Sequence, residues 1–431
     1  MKSTTNKTAT KGIKVQNKWL SKLIQFLMVM GPGIIVMIAD NDAGAVSTYT
    51  QAGANYGLHF MWLLLLLLPI TYFIQEMVVR LGIATGQGHA AMIYKRFGKW
   101  WGAFSLFDLQ LVNFFTLVTE FAAIFLGVQG LGLDPYYAVP LAAVALIILA
   151  VTGSYLRWER SVMILCFLDL SWVILAKLSS PEWGLVVHHT FVPTLPQGPI
   201  TSDMIFLVIA IVGTTIAPWQ LFFQQSCIAD KRLRFADLKS ARIDTFIGAS
   251  CTILIAACMM IVGDYSSQLN IDFQNPAKMA VALAPFAGEF FKNAILILMI
   301  NAAVLGATTV SLASAWAFGE VRGWDHSLQK TIKEAPGFYA IYAVGVLSAA
   351  GLVLIPNAPL QLIIVSVQVL AGLMLPSAIV FLQLLLNDRE LLGDEFVNKP
   401  WNNLINWVII ILLFILSLAL AAQVIVPGLF N

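Results

Sequence analysis

Two carboxylates, Asp40 and Asp42, stand with Asn41 between them inside a long apolar run that begins at Gly31-Pro32-Gly33. Acids two residues apart in an apolar setting point to one chemistry, the holding of a cation that offsets their charge. A carboxylate at bilayer depth costs about 2.5–3.5 kcal/mol on insertion scales, so two of them need a compensating partner. Asp, Asn and Gly are poor helix formers, and here they cluster mid-run as Asp40-Asn41-Asp42-Ala43-Gly44. Non-helical backbone at that depth is tolerated only where it faces protein or a water-filled cavity. The expectation is a broken helix that presents carboxylates and freed carbonyls to a cation.

A second apolar run carries a similar interruption, Val212-Gly213-Thr214-Thr215-Ile216-Ala217-Pro218-Trp219-Gln220. Pro218 has no N–H to give and frees an upstream carbonyl. A simple proline kink is the alternative reading of this segment taken alone. Paired breaks at corresponding places in two halves of a chain are the pointer to an inverted-repeat transporter with its site at the midplane.

The elements around these breaks follow from composition. Of 431 residues 59% are hydrophobic and 11% charged, and the mean hydropathy is +0.82. A soluble domain, a disordered chain and a nucleic-acid binder are excluded on this balance. About eleven apolar segments have the length to cross a bilayer, near 24–54, 58–79, 103–130, 136–153, 161–179, 203–229, 245–264, 290–318, 338–356, 359–386 and 404–427. With the N-terminus in the cytoplasm, all of the 25 Lys and Arg except Lys177, Lys278 and Lys292 fall on the cytoplasmic side. That asymmetry supports the span count and the orientation, and it puts the C-terminus outside. Residues 1–22, rich in lysine and without an apolar core, read as a polar tail and not as a cleaved signal.

No soluble domain interrupts the spans. The four cysteines form no CxxC pair and read as packing residues. The five histidines, His59, His89, His188, His189 and His326, fall in loops or at helix ends, so none is expected at depth. HExxH, GxSxG and Walker A patterns are missing, which argues against an enzyme, and nothing calls for a cofactor or a protein partner. Glu76 and Arg80, four apart on the second span, are expected to pair. Asp169, Asn301 and Thr308 are expected to bond between helices, with a part in a gate as the alternative.

These motifs resemble the NRAMP family of divalent metal transporters. Its helix 1 motif Asp-Pro-Gly-Asn and the following Gln-Ala-Gly-Ala are met by Asp42-Ala43-Gly44-Ala45 and Gln51-Ala52-Gly53-Ala54. Arg80-Leu81-Gly82 and Thr85-Gly86 follow helix 2 as in the family. The helix 6 motif Met-Pro-His-Asn is met by Ala217-Pro218-Trp219-Gln220, and the helix 10 element by Gln368 ahead of Leu375-Pro376. The resemblance implies an all-α polytopic membrane protein of the LeuT-type fold. It has two inverted five-helix repeats, 23–180 and 181–387, followed by a loop and an extra C-terminal helix over 388–431. It implies an ion held by Asp42, by backbone near Ala39 and Ala217, and by Gln368, with Gln220 standing for the family's asparagine.

The departures bear on substrate. The family's metal-binding asparagine is Ala45 here and its methionine is Ala217. Without the thioether the device that favours soft ions is gone, and the remaining ligands are oxygens. The wider, oxygen-only site matches the NRAMP-related magnesium transporters and suits partly hydrated Mg2+, with Mn2+ carried too. Asp40 and Asn41 have no family counterpart; Asp40 is either a contact to the ion or its waters, or a polar residue at the cavity mouth. Family members relay protons through acids on helix 3, where Glu120 matches one and Ala123 replaces another, and Trp219 stands for a histidine. Asn113, Thr116 and Glu120 share a helical face and are candidate pathway residues, or they pair internally. The expectation is uncoupled divalent flux by alternating access in a bacterial-type plasma membrane, and the rival is a proton-coupled Mn2+/Fe2+ transporter.

Overall fold

The computed structural model describes residues 29–196, 198, 199 and 201–425; the expected tail 1–22 lies outside them. The first span is two helices, α1 (Pro32–Ala39) and α2 (Ala43–Tyr56). Helix α3 (Met61–Thr85), the short α4 (His89–Phe97), α5 (Lys99–Gly130) and α6 (Pro135–Ala150) follow. The fifth span is α7 (Tyr155–Asp169) continued by α8 (Trp172–Leu178). After α9 (Trp183–Phe191) the sixth span is again two helices, α10 (Ser202–Thr215) and α11 (Pro218–Lys231). Then come α12 (Leu238–Gln268), α13 (Pro276–Arg322), α14 (Pro336–Val353), α15 (Leu360–Leu385), α16 (Arg389–Phe396) and α17 (Pro400–Ile425).

Among the described residues nine helices are long and apolar enough to cross a membrane, the fifth and sixth spans each counted as one. The other two expected segments are the first span, cut into pieces of 8 and 14 residues, and α6, which has 16. Every apolar segment of the sequence therefore has a helical counterpart. The eighth span, expected over 290–318, is the part of α13 beyond Gly288, and a further helix of α13 leads into it from Pro276. Asn275 caps α13, accepting the Lys278 N–H at 2.8 Å, and Pro276 sits in its first turn. Only at Gly288, where φ is 86°, does its helical geometry lapse. Three connecting segments expected as loops hold the short helices α4, α9 and α16.

Two close approaches hold the halves of the broken spans away from the basic face. A side chain on Gly53 of α2 would strike the Met260 carbonyl of α12, and one on Gly263 of α12 would strike the Thr50 carbonyl of α2. Gly213 of α10 meets the backbone of Gln368 and Gly372 on α15 in the same way. Small residues of this kind let helix backbones touch within a membrane.

Polar side chains tie the remaining helices. Asn301 donates to Asp169 Oδ1 at 2.7 Å and to the Leu165 carbonyl at 3.0 Å. Thr308 Oγ1 lies 3.2 Å from both Trp158 Nε1 and the Tyr342 hydroxyl. Arg80 donates to Glu76 at 3.2 Å, and Arg242 of α12 joins the pair at 2.6 Å.

Candidate metal site

The first break is built by diverted backbone hydrogen bonds. In a continuous helix the N–H of Ala43 would return to Ala39 and that of Ala45 to Asn41. Instead Ala43 donates to Glu120 Oε2 on α5 at 3.1 Å, and Ala45 donates to Asp42 Oδ1 at 3.0 Å. Asp42 is thus the N-cap of α2, in extended backbone, and the carbonyls of Ala39 and Asn41 are left without their helical donors.

The second break follows from Pro218. Ile216 and Ala217 are extended, and α11 begins at the proline. The carbonyl that loses its donor to the proline is that of Thr214, four residues upstream. The expectation had placed the backbone ligand near Ala217, but the Ala217 carbonyl accepts the Gln220 N–H at 3.2 Å. Thr214 is therefore the freer backbone oxygen of this break.

Buried polar atoms gather between the two breaks. Asp40 is 1% exposed, and neither of its carboxylate oxygens receives a hydrogen bond. Asn41 donates to the Thr252 carbonyl at 3.3 Å and keeps Oδ1 unmatched. Gln220 faces Asp40 and accepts from Gln75 of α3 at 3.0 Å, while the Gln75 Oε1 has no donor. Gln368 lies against Gly44 of α2, where a β-carbon would collide with its amide. The Tyr49 hydroxyl sits 2.7 Å from Thr215 Oγ1 and joins the two spans just beside these groups. Desolvated carboxylate, amide and carbonyl oxygens without donors match the needs of a hard cation. Among the described residues no three His, Cys, Asp or Glu side chains converge to hold an ion, so any ion here depends on amide, backbone and water oxygens as well.

The helix 3 stripe is divided. Glu120 reaches the first break and packs on Gly306 of α13. Asn113 instead donates to Ser314 Oγ at 2.9 Å and to the Val310 carbonyl at 3.5 Å, so it cross-links α5 to α13. Thr116 is buried between them and its carbonyl takes the Thr119 hydroxyl at 2.7 Å. Trp219 is fully buried and starts an aromatic chain: its ring lies 5.9 Å from Phe223, which lies 5.7 Å from Trp316 and 6.1 Å from Trp158.

Several groups that matter here had little signal in the sequence. Gln75 is visible only as a lone amide in an apolar span. Asp244 of α12 accepts the N–H groups of Gly31, Gly33 and Ile34 at 3.2, 2.7 and 3.4 Å, and so caps α1. Lys231 bonds the Val29 and Met30 carbonyls at 3.2 and 2.8 Å and pairs with Glu159 at 2.7 Å. These contacts clamp the start of α1 against α7, α11 and α12. His89, expected in a loop or at a helix end, stands at the start of α4 and is fully buried there, its Nδ1 3.0 Å from Gln225 Oε1 and its ring against Phe222.

A bundle of apolar helices with two paired breaks around buried oxygens defines a polytopic membrane protein of the LeuT-type fold. The Eremococcus coleocola manganese transporter superposes with a TM-score of 0.77 at 19% identity, over 95% of this chain and 90% of that one. Mhp1, a nucleobase-cation-symport-1 family transporter, superposes with a TM-score of 0.57 at 14% identity, over 92% and 91%. Residues 33–423 match the family profile described as natural resistance-associated macrophage protein-like, and the chain belongs to this Nramp family. Among its relatives are the divalent metal cation transporters MntH of Caldanaerobacter subterraneus subsp. tengcongensis and of Staphylococcus saprophyticus. The first is 24% identical over 92% of this chain and 93% of the relative, the second 26% over 96% and 95%.

Proposed function

We propose that this protein carries divalent metal ions across the membrane, with partly hydrated Mg2+ as its chief substrate and Mn2+ carried too. The observation that carries the reading is the oxygen-only surround of the breaks, with Ala217 and Ala45 where the family places methionine and asparagine. Asp42 is the principal ligand. Asp40, Asn41, Gln220, Gln368, the carbonyls near Ala39 and, in the break around Ala217, the freer carbonyl of Thr214 hold the ion directly or through its waters. Magnesium sheds water reluctantly and is commonly held by one or two carboxylates with several waters kept. The relatives' description as divalent metal cation transporters supports the substrate class.

Movement is by alternating access between the repeats 23–180 and 181–387. Closures on both sides of the site support this. Toward the basic face, Asp244 and Lys231 clamp α1. On the far side, Gln361 of α15 lies 3.3 Å from Gln51 Oε1 and 3.4 Å from Ser47 Oγ on α2. Flux is uncoupled from protons. Where the family has a histidine stands Trp219, packed on Phe223 and through it on Trp316, rings that relay no proton. With the N-terminus and the basic face in the cytoplasm, an inside-negative potential favours divalent influx by about 4.6 kcal/mol per 100 mV, twice the single-charge value.

Glu120 beside the first break favours a second reading, a proton-coupled Mn2+/Fe2+ transporter. One experiment separates the two: flux of Mg2+, Mn2+ and Ca2+ into liposomes holding the purified protein, with a pH dye inside. Mg2+ uptake without acidification supports the proposal. Mn2+ uptake without Mg2+, or acid influx that tracks the metal, refutes it.

A further inference from the structure

A cavity of about 390 Å³ opens at the basic face where α3, α12 and the start of α17 meet. Its charged lining is Arg80, Arg242 and Lys399 against Glu76 and Glu395, one cation in excess. Glu76 is already satisfied: Oε2 receives Arg80 at 3.2 Å, and Oε1 receives Arg242 through Nη2 at 2.6 Å and Nε at 2.9 Å. Arg80, whose side chain is 7% exposed, also donates to the Phe396 carbonyl at 3.0 Å and to Asn398 Oδ1 at 2.7 Å. Its Nε remains buried without a partner. Guanidinium groups so arranged favour an oxyanion, and a phosphate most of all.

The rim of the cavity is apolar and faces sideways. Trp401 is 52% exposed and stands edge-on to Phe73 at 6.1 Å; Tyr72 meets Phe246 in the same manner at 5.5 Å. Phe246 and Leu404 are exposed on the outer surfaces of α12 and α17, membrane-crossing helices. Aromatic side chains at such a level mark the membrane interface. A free anion makes no use of this rim. A phospholipid uses both parts, its phosphate among the cations and its acyl chains along Phe246 and Leu404.

We propose that this cavity binds the headgroup phosphate of an anionic phospholipid from the leaflet at the basic face. Arg242 lies two residues before Asp244, the cap of α1, so the bound lipid borders the helix that holds the clamp shut.

The test is native mass spectrometry of the purified full chain with added phosphatidylglycerol, phosphatidylcholine or inorganic phosphate. Lys399→Gln is the first variant, because the ion pairs of Glu76 are with Arg80 and Arg242 and not with Lys399; Trp401→Leu is the second. The wild type is expected to hold one phosphatidylglycerol that survives detergent removal. Retention should fall about fivefold in Lys399→Gln, fall in Trp401→Leu, and persist in millimolar phosphate. Equal retention in wild type and Lys399→Gln overturns the proposal. So does equal retention of phosphatidylcholine, or displacement of the lipid by inorganic phosphate, which assigns the cavity to a free anion. Unchanged melting temperatures of the unlipidated variants show that any loss is one of binding and not of folding.

Discussion

Glu120 of α5 accepts the Ala43 N–H at 3.1 Å, and with that bond takes from the first span a donor that a continuous helix would return to Ala39. The bond needs an acceptor and not a charge. Glu120→Gln keeps the acceptor, so Mg2+ flux should stay within about fivefold of wild type, the difference of about 1 kcal/mol between a charge-assisted and a neutral hydrogen bond. Flux that collapses in this variant while the fold is kept would show that the carboxylate itself serves transport, as proton coupling requires.

Asp42 caps α2 and, in the function proposed here, binds the ion, and substitution separates the two roles. Asparagine caps a helix as well as aspartate does, so Asp42→Asn should melt near the wild-type temperature and yet lose more than about tenfold in Mg2+ flux for want of the charge. Asp42→Ala should lose the flux and also about 1 kcal/mol of stability. Thermal melts beside liposome uptake check both parts.

Ala217→Met returns a thioether to the second break. The expected result is a rise of about tenfold in the Mn2+-to-Mg2+ flux ratio, since sulfur discriminates against hard ions. An unmoved ratio would mean that position 217 does not face the ion.

Asp244→Ala removes the acceptor for three N–H groups at the start of α1. Leaving buried donors unmatched should cost about 1–3 kcal/mol and loosen α1. A cysteine placed in the first turn of α1 should then react faster with a thiol reagent added from the basic face, and Asp244→Asn should lie between.

His89 lies outside the membrane-spanning helices, and burial pushes its imidazole down to about 4, against which the bond to Gln225 acts only in part. Above pH 6.5 both folded and unfolded forms are neutral and the histidine exacts no penalty. As pH falls from 6.5 toward 4 the unfolded chain takes up a proton that the folded chain refuses, so stability should fall by about 3 kcal/mol in all. Melts between pH 7.5 and 4.5 should show a steeper decline for wild type than for His89→Gln.

The sequence makes the broken spans legible because Asp40, Asn41, Asp42 and Pro218 are residues that an apolar helix resists. The interhelical bonds of Asp169 and Asn301, and of Thr308, are legible for the same reason, as is the Glu76–Arg80 pair. What it hides is partner choice across the bundle. Nothing in Asp244 says that it caps a helix more than 200 residues earlier, and nothing in Asn113 says that it turns to Ser314 and not toward Glu120. The start of the eighth span is legible because Gly288 parts it from the helix before it, and Pro276 starts that earlier helix from a first turn, where proline is welcome. The Thr214 carbonyl is legible in principle, by counting four residues back from Pro218.

Where glycine sets backbone on backbone, no side chain stands between two helices to rotate and give way. The contacts of Gly53 and Gly263 weld α2 to α12, and those of Gly213 weld α10 to α15. Each pair is a plank, and the two planks carry the far halves of both broken spans. On the alternating access proposed above, the door on that side has two leaves, hung at the breaks themselves, and the proposed ion between Asp42 and Gln220 sits in the hinge line.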